Sequence, residues 1–390
     1  MEAKQKKNII FINTHPIQYF APLYKYCTEH GLPVEVWYCS DESMKPVTDT
    51  QFGVPVQWDI PLLEGYKSSF FKNYSWKPSH FNGFWGLINF GIWGKLIARR
   101  KSLVIIHGWS NITFLIAFVI ATCRGHKVCV RAETPWNQEL LKGDKNIRWK
   151  KLFLGKLLFS FVDYFLYIGT QNKLFYQNLG IATNKLFYTP YAVDNSRFQE
   201  AAKMYLPQKD ALKQQLQIPV GTKVILYSGK YMQKKRPLDI IRAFQMLNRL
   251  DVWLVMVGDG ELRPEMEALI KKENINNVLL TGFINQSQIP KYYAVADVFV
   301  MCSNVGETWG LSVNEAMNFN LPVIVSDVCG CSSDLVQHGK NGFVYPCGDI
   351  SRLNECVGKV LDDTSSYKHS TVMINEFSYE ETRQCLATIC

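Results

Sequence analysis

The chain has 390 residues, 47% of them hydrophobic and 20% charged, which is ordinary for a globular enzyme of two domains. Its 11 cysteines are odd in number and scattered, which argues for reduced thiols and against a disulfide framework. The net charge of +9 lies in the first half: residues 1–200 hold 24 Lys and Arg against 14 Asp and Glu (+10), and the rest hold 19 against 20 (−1).

The charged start Met1-Glu2-Ala3-Lys4 runs into a short apolar segment at 8–12. That segment reads as a first strand and is too short for a signal-peptide core, so a cytoplasmic location is expected. A helix over 22–30 and a strand over 34–38 follow. Residues 40–100 are rich in Pro, Gly and aromatic residues without a clean period, and read as an irregular insertion or a mobile acceptor loop. Strands at 103–107, 127–131, 164–168 and 185–189 alternate with an apolar helix at 112–123 and a long amphipathic helix at 148–161. The apolar helix falls well short of the ~20 residues needed to cross a bilayer. Such alternation means a doubly wound parallel sheet. Basic residues in 51–160 accompany Phe70, Phe71, Tyr74, Trp76, Phe81, Phe84, Trp85, Phe90 and Trp93. Two readings fit: an anionic membrane face, or core aromatics with solvated lysines.

A polar stretch at 199–220 containing two prolines reads as a connection between domains. A second series of strands follows at 223–227, 252–257, 278–281, 298–301 and 322–326, with helices near 237–249, 263–273, 287–295 and 312–318. The last ~20 residues read as a terminal helix. The expected division is 1–198, 199–370 and 371–390.

The most informative stretch runs from Gly306 to Met317. A buried strand at 298–301 delivers Glu307 to the C-terminal edge of a parallel sheet, where such sheets bind ligands. Gly310 lets the backbone turn and Ser312 can cap the next helix. The N–H groups of Gly310, Leu311 and Ser312 are then candidates for an anion cradle. Glu315 has a local alternative, since Ser312-Val313-Asn314-Glu315 has the form of a capping box. Asn320, just before Leu321-Pro322, fits a helix end in the left-handed conformation.

Other candidates sit at further strand ends. Lys230 follows Ser228-Gly229, and Lys235 lies in Lys234-Lys235-Arg236-Pro237, which is either a clamp for an anion or a solvated basic turn. Phe283 and Ile284 follow Gly282, and Phe283 fits a pocket wall or plain core. Gly258-Asp259-Gly260 lacks the third glycine of a dinucleotide fingerprint, so a nicotinamide cofactor is not expected and a tight turn is. His107 ends a strand, a place where a lone histidine is more often structural. His15 and Gln18 follow the first strand, and Glu133 follows another. Cys329-Gly330-Cys331 has no second pair at zinc spacing, so no metal is expected. No recognition helix, finger or aromatic RNA-binding motif supports a nucleic-acid partner.

The pattern from Glu307 to Glu315 within G-E-T-W-G-L-S-V-N-E-A-M resembles the E-x7-E signature of family 4 retaining glycosyltransferases. Leu321-Pro322-Val323-Ile324-Val325-Ser326-Asp327, Asp334-Leu335-Val336 and Gly339-Lys340-Asn341-Gly342-Phe343 resemble the same family. The likeness is dense over 224–349 and looser before it. It implies the α/β GT-B fold: two Rossmann-like domains facing across a cleft, the first taking the acceptor and the second the nucleotide sugar, with a C-terminal helix crossing back to the N-domain. It also implies a nucleotide-diphosphate sugar donor, UDP-linked, and no cofactor or metal beyond it. By the resemblance Glu307 contacts the transferred sugar and Glu315 holds the ribose. Lys230 and Lys235 clamp the diphosphate, in the places of the Arg and Lys of a G-R-L-x-x-x-K loop. Phe283 and Ile284 meet the nucleobase, and His107 faces the donor sugar and is catalytic. The implied acceptor is a glycan or lipid-linked glycan, as in surface polysaccharide synthesis, with the protein peripheral at the inner face of the membrane. The alternative is an inactive relative serving as a sugar-nucleotide-binding subunit. The chain departs from the pattern in four places, one of them Asn320, where Gly is usual. Lys230 replaces a bidentate Arg, Tyr191 and Ala192 stand where Asn and Gly are usual, and the loop holding His15 and Gln18 lacks the Gly-Gly that many relatives use.

Overall fold

The structure, a computed structural model, describes residues 8–44, 47–49, 54–56 and 58–390. The chain divides into two compact units, one of Met1–Val47, Pro61–Tyr191 and Tyr379–Cys390, the other of Thr48–Ile60 and Ala192–Ser378. The expected division after residue 198 lies seven positions beyond this one. The expectation for a 199–220 linker is corrected: its polar residues form the helices Asn195–Tyr205 and Lys209–Gln215 within the second unit. Asp194 caps the first of them through the Arg197 N–H, a local signal that outweighs polarity.

The strands in chain order are β1 (Ile9–Asn13), β2 (Val34–Tyr38), β3 (Val47–Asp49), β4 (Val54–Val56), β5 (Lys67–Phe70), β6 (Leu103–His107), β7 (Lys127–Arg131), β8 (Tyr164–Tyr167) and β9 (Leu186–Tyr188). Seven of them form the parallel sheet of the first unit, in the order β5-β2-β1-β6-β7-β8-β9; β3 and β4 pair separately, and all of their residues but Val47 group with the second unit. Unbroken apolar runs such as Ile9-Ile10-Phe11-Ile12 are buried on both faces, as a covered parallel sheet requires.

Two expectations for this unit are corrected. Residues 67–98 are more regular than the composition of 40–100 suggests, because β5 extends the sheet beside β2 and Phe90–Ala98 is a helix; residues 45–46, 50–53 and 57 of that expected insertion lie outside the described residues. Buried polar groups explain this. Glu35 on β2 takes Lys95 at 2.8 Å and the Trp37 indole N–H at 2.9 Å, and Arg99 completes the cluster. The Asn89 amide donates to the carbonyls of Cys39 and Phe71 at 2.9 and 3.0 Å. The expected helix at 148–161 is helical but not one α-helix. An α segment, Asp144–Lys150, passes into a π segment, Lys151–Leu157, and a 3-10 turn, Leu158–Phe161. The apolar triplets Leu152-Phe153-Leu154 and Leu157-Leu158-Phe159 cannot share one α-helical face. The wider turn buries Leu154, Leu158 and Phe159 and leaves the other three outward.

In the second unit β10 (Lys223–Ser228), β11 (Val252–Val257), β12 (Val278–Leu280), β13 (Val298–Met301), β14 (Val323–Ser326) and β15 (Gly342–Tyr345) form a parallel sheet in the order β12-β11-β10-β13-β14-β15. The helix Ile350–Asp362 packs on this unit's core through Leu353, Val357 and Val360. The terminal helix, Tyr379–Ile389, returns to the first unit, where Glu380 accepts from the Tyr26 hydroxyl at 3.0 Å. Each sheet reverses its order once, between β1 and β6 in the first and between β10 and β13 in the second. Loops leaving the carboxyl ends of such a strand pair diverge and open a crevice.

Candidate functional site

The candidates of the second unit lie at its switch point. The loop after β10 carries Lys230 and Lys235, and the loop after β13 carries Glu307. The two loops are joined, since the Asn304 N–H donates to the Lys234 carbonyl at 2.6 Å. Lys235 pairs with a Glu307 carboxylate oxygen that also accepts from the Ser303 hydroxyl at 3.2 Å. Burial works against the charge on Glu307, but Lys235 foremost, with Lys234 and Ser303, overcomes it and holds the carboxyl below the usual carboxylate range. Lys230 is half-buried beside them, its carbonyl accepting from the Tyr227 hydroxyl at 3.3 Å. From the other side the loop after β14 supports Glu307: Gly330 N–H donates to the Glu307 carbonyl at 3.1 Å. A side chain at Gly330 would begin 1.8 Å from the Thr308 carbonyl oxygen, so only glycine fits. The turn at Gly258-Asp259-Gly260 is tight as expected. Gly258 has φ 141° and lies so close to Gly229 that a Cβ would fall 2.0 Å from its carbonyl oxygen.

The helix after Glu307 is Leu311–Met317, and its N-cap is Gly310 in the left-handed region at φ 112°. This corrects the expectation that Ser312 caps it. Ser312 lies inside the first turn, so no capping box forms with Glu315, because glycine takes the cap conformation without strain. Gly310, Leu311 and Ser312 do stand at the helix start, where backbone N–H groups have no intrahelical partner. Asn320, three residues past the helix end, takes the expected left-handed conformation with φ 54°.

Glu315 points inward instead. It is 2% exposed, and its two oxygens accept from the Tyr293 hydroxyl at 2.7 Å and the Gln286 amide at 3.4 Å. Gln286 is in turn gripped by Arg197, whose guanidinium donates to its carbonyl at 3.0 Å and to its side-chain oxygen at 2.8 Å. Removing either donor would take a hydrogen bond from a buried carboxylate, at a cost of about 1–3 kcal/mol. Gln286 follows Phe283 and Ile284 in the loop after β12, so one network ties that loop to Glu315. Sequence reasoning missed Gln286, Tyr293 and Arg197. Tyr293 reads as an ordinary core position on its helix, and nothing local marks the glutamine.

In the first unit His15 and Gln18 lie in the loop after β1 and His107 is the last residue of β6, at the switch point, with Glu133 after the adjoining β7. The His107 ring lies 5.8 Å from Phe11 and 4.7 Å from Phe20, and its Nε2 is buried without a hydrogen-bond partner. Burial, reinforced by Arg131, pushes this imidazole well below its ordinary pKa, so it stays neutral. Arg131, aligned with His107 across β6 and β7, is 3% exposed and lies 5.4 and 5.5 Å from the rings of Phe20 and Tyr191, which stack on one another. Glu133 bonds the Tyr191 hydroxyl. His15 bonds Thr14 at 2.9 Å and packs 3.9 Å from His80, and burial with that neighbour lowers it to about 3. Gln18 is half-buried. Arg131 carries no local signal of a functional role, since it reads as the polar end of a strand.

The aromatics of 70–93 divide. Phe71 and Trp93 pack on the core, whereas Phe70, Tyr74, Trp76, Phe81, Phe84, Trp85 and Phe90 are exposed, so core packing does not account for them. A second exposed apolar set, Leu140, Leu141, Trp149, Leu152, Phe153 and Leu157, shares its segment with exposed Lys142, Lys145, Arg148, Lys151 and Lys156. Among the described residues no helix is long and apolar enough to cross a membrane.

Residues 208–376 match the family described as glycosyl transferases group 1. N-acetyl-alpha-D-glucosaminyl L-malate synthase of Bacillus anthracis is 25% identical over 213 residues, 49% of this chain and 55% of that protein. The lipopolysaccharide 1,2-N-acetylglucosaminetransferase of Salmonella typhimurium is 27% identical over 45% of this chain and 50% of that one. The chain therefore aligns with about half the length of these curated relatives. Among solved structures, Anabaena Alr3699/HepE in complex with UDP and glucose superposes with a TM-score of 0.71 at 17% identity, covering 98% of this chain and 99% of that one. WaaG, a glycosyltransferase of lipopolysaccharide biosynthesis, gives 0.64 at 15% identity over 98% and 99%. The fold is GT-B, as expected.

Proposed function

We propose, from the match of residues 208–376 to the glycosyl transferases group 1 family, that the protein moves a sugar, with retention, from a nucleoside-diphosphate donor to a glycan or lipid-linked glycan. The observation that carries this reading is the Lys235–Glu307 pair at the switch point of the second sheet, beside Lys234 and within one network of loops. As the glycosidic bond breaks, the departing diphosphate gains negative charge. Fixed ammonium groups of Lys235 and Lys230, with the N–H groups of Gly310, Leu311 and Ser312, stabilise that state more than the bound donor. Glu307, held ionised by Lys235, takes hydroxyls of the transferred sugar. Glu315 takes the ribose from its fixed position, and Phe283 and Ile284 take the base. The acceptor hydroxyl attacks C1 on the face from which the diphosphate leaves. Its oxygen forms the new bond, the C1–O bond to phosphate breaks, and the proton passes to the departing phosphate oxygen. The cationic side chains supply the charge that this reading assigns to no metal ion. His107 keeps the catalytic role its resemblance implies, and His15, Gln18 and Glu133 are the acceptor-side groups.

UDP is favoured as the carrier because a protein of the same fold binds UDP with glucose. Polysaccharide or lipid-glycan acceptors are favoured by the Salmonella relative and by WaaG. The exposed set around Trp149 and Phe153, ringed by Lys145, Arg148, Lys151 and Lys156, is suited to an anionic lipid surface. This reading places the protein in the cytoplasm, peripheral at the inner membrane face. A thermal-shift panel of UDP-, GDP- and ADP-sugars tests the donor assignment. A UDP-sugar should raise the melting temperature by mass action, and no shift with any nucleotide sugar would refute it.

A further inference from the structure

We infer that Trp58 forms a second aromatic wall of the nucleobase subsite and that Asp59 anchors it there. The inference rests on the reading that Phe283 and Ile284 take the base.

Residues 58–60 come from the first half of the sequence, yet they group with the second unit. They meet it at the loop after β12. The Trp58 ring lies 6.0 Å from that of Phe283, at an interplanar angle of 64°. Asp59 fixes this placement. Its N–H donates to the Asn285 side-chain oxygen at 3.4 Å, its two carboxylate oxygens each accept from the Ser287 N–H at 3.2 Å, and it takes the Ser287 hydroxyl as well. The bonded residues flank Gln286, which the Arg197–Glu315 network holds from the other side.

Trp58 and Phe283 are both half-buried, and neither belongs to the core cluster of this unit. Two aromatic rings meeting at an angle, each with part of its surface uncovered, form a corner suited to a flat heteroaromatic ring. Stacking of that kind accepts any base, so selectivity would fall to the backbone edge at Ile284. Sequence reasoning treated this stretch as part of an irregular insertion and had no means of seeing the contact.

Calorimetric titration of the full chain with UDP and with inorganic pyrophosphate tests the inference. Trp58→Ala should weaken UDP about five- to hundred-fold and leave pyrophosphate, which has no base, unchanged. Trp58→Phe should keep most of the affinity, and Asp59→Asn should weaken UDP by less than Trp58→Ala. If Trp58→Ala binds UDP as the wild type does while Phe283→Ala binds it weakly, Trp58 has no such role and the base subsite stands without it. If neither variant changes UDP affinity, the base-subsite reading itself fails. Tighter UDP binding in Trp58→Ala, or equal loss of UDP and pyrophosphate, also overturns the inference.

Discussion

The two sheets present their switch-point residues in opposite ways. In the second unit the two carboxylates are held before any ligand arrives: Lys235 pairs with Glu307, and the neutral donors Tyr293 and Gln286 bond Glu315. In the first unit the corresponding groups are buried with polar atoms unmatched, the Nε2 of His107 and the Nε of Arg131. A paired, rigid set suits a ligand of fixed charge such as a diphosphate. Neutral His107 beside an aromatic-packed Arg131 suits hydroxyl groups, which need hydrogen bonds more than charge. The comparison also separates what each unit contributes to stability. In the second Lys235 keeps Glu307 ionised against burial, whereas the first keeps its imidazoles uncharged by burial.

The largest expected effect breaks the paired set. Glu307→Gln should lower turnover about 100- to 1000-fold while leaving UDP affinity nearly unchanged, since it removes a contact to the sugar and not to the diphosphate. Steady-state kinetics with calorimetry check this, and full activity would remove Glu307 from the chemistry. A middle-sized effect concerns the surface of the first unit. Lys151→Gln with Lys156→Gln should reduce partition onto phosphatidylserine vesicles about tenfold or more, and added salt should do the same. Equal flotation with neutral vesicles would discard the lipid surface. The smallest effect sharpens the contrast in burial. His107 and His15 have folded-state pKa values below the unfolded value of 6.5, so the unfolded chain binds more protons there. Their stability contribution is present above pH 6.5 and is lost as pH falls below it. Between pH 6.5 and 5 the loss should reach about 1–2 kcal/mol for each ring. Asparagine at either position should flatten the fall in melting temperature, and an unchanged pH profile would contradict the neutral assignment.

Legibility followed the same divide. Strands of the parallel sheets stood out because burial on both faces leaves unbroken apolar runs, and β2, β6, β7, β11 and β13 fall where those runs predict. The placement of Lys235 and Glu307 in loops after strands, and of Glu315 on the following helix, was legible because strand, turn and helix follow one another within a few residues. Residues acting over distance were not. Gln286 and Arg197 meet Glu315 across 29 positions or through one another, and Trp58 meets Phe283 from another part of the chain. The regular elements of 67–98 were hidden because their anchors, Glu35 and Asn89, are polar residues with no local sign of burial. Ser312 misled for the converse reason, since a good local cap pattern lost to a glycine two positions earlier.

The central claim is that the second unit grips a nucleoside diphosphate through its lysines. Calorimetric titration of UDP into the wild-type protein and into Lys235→Ala tests it most directly. The account predicts saturable binding that the substitution weakens about tenfold or more, the scale expected for losing a charge-assisted contact to phosphate. Equal affinity in the two proteins would contradict it.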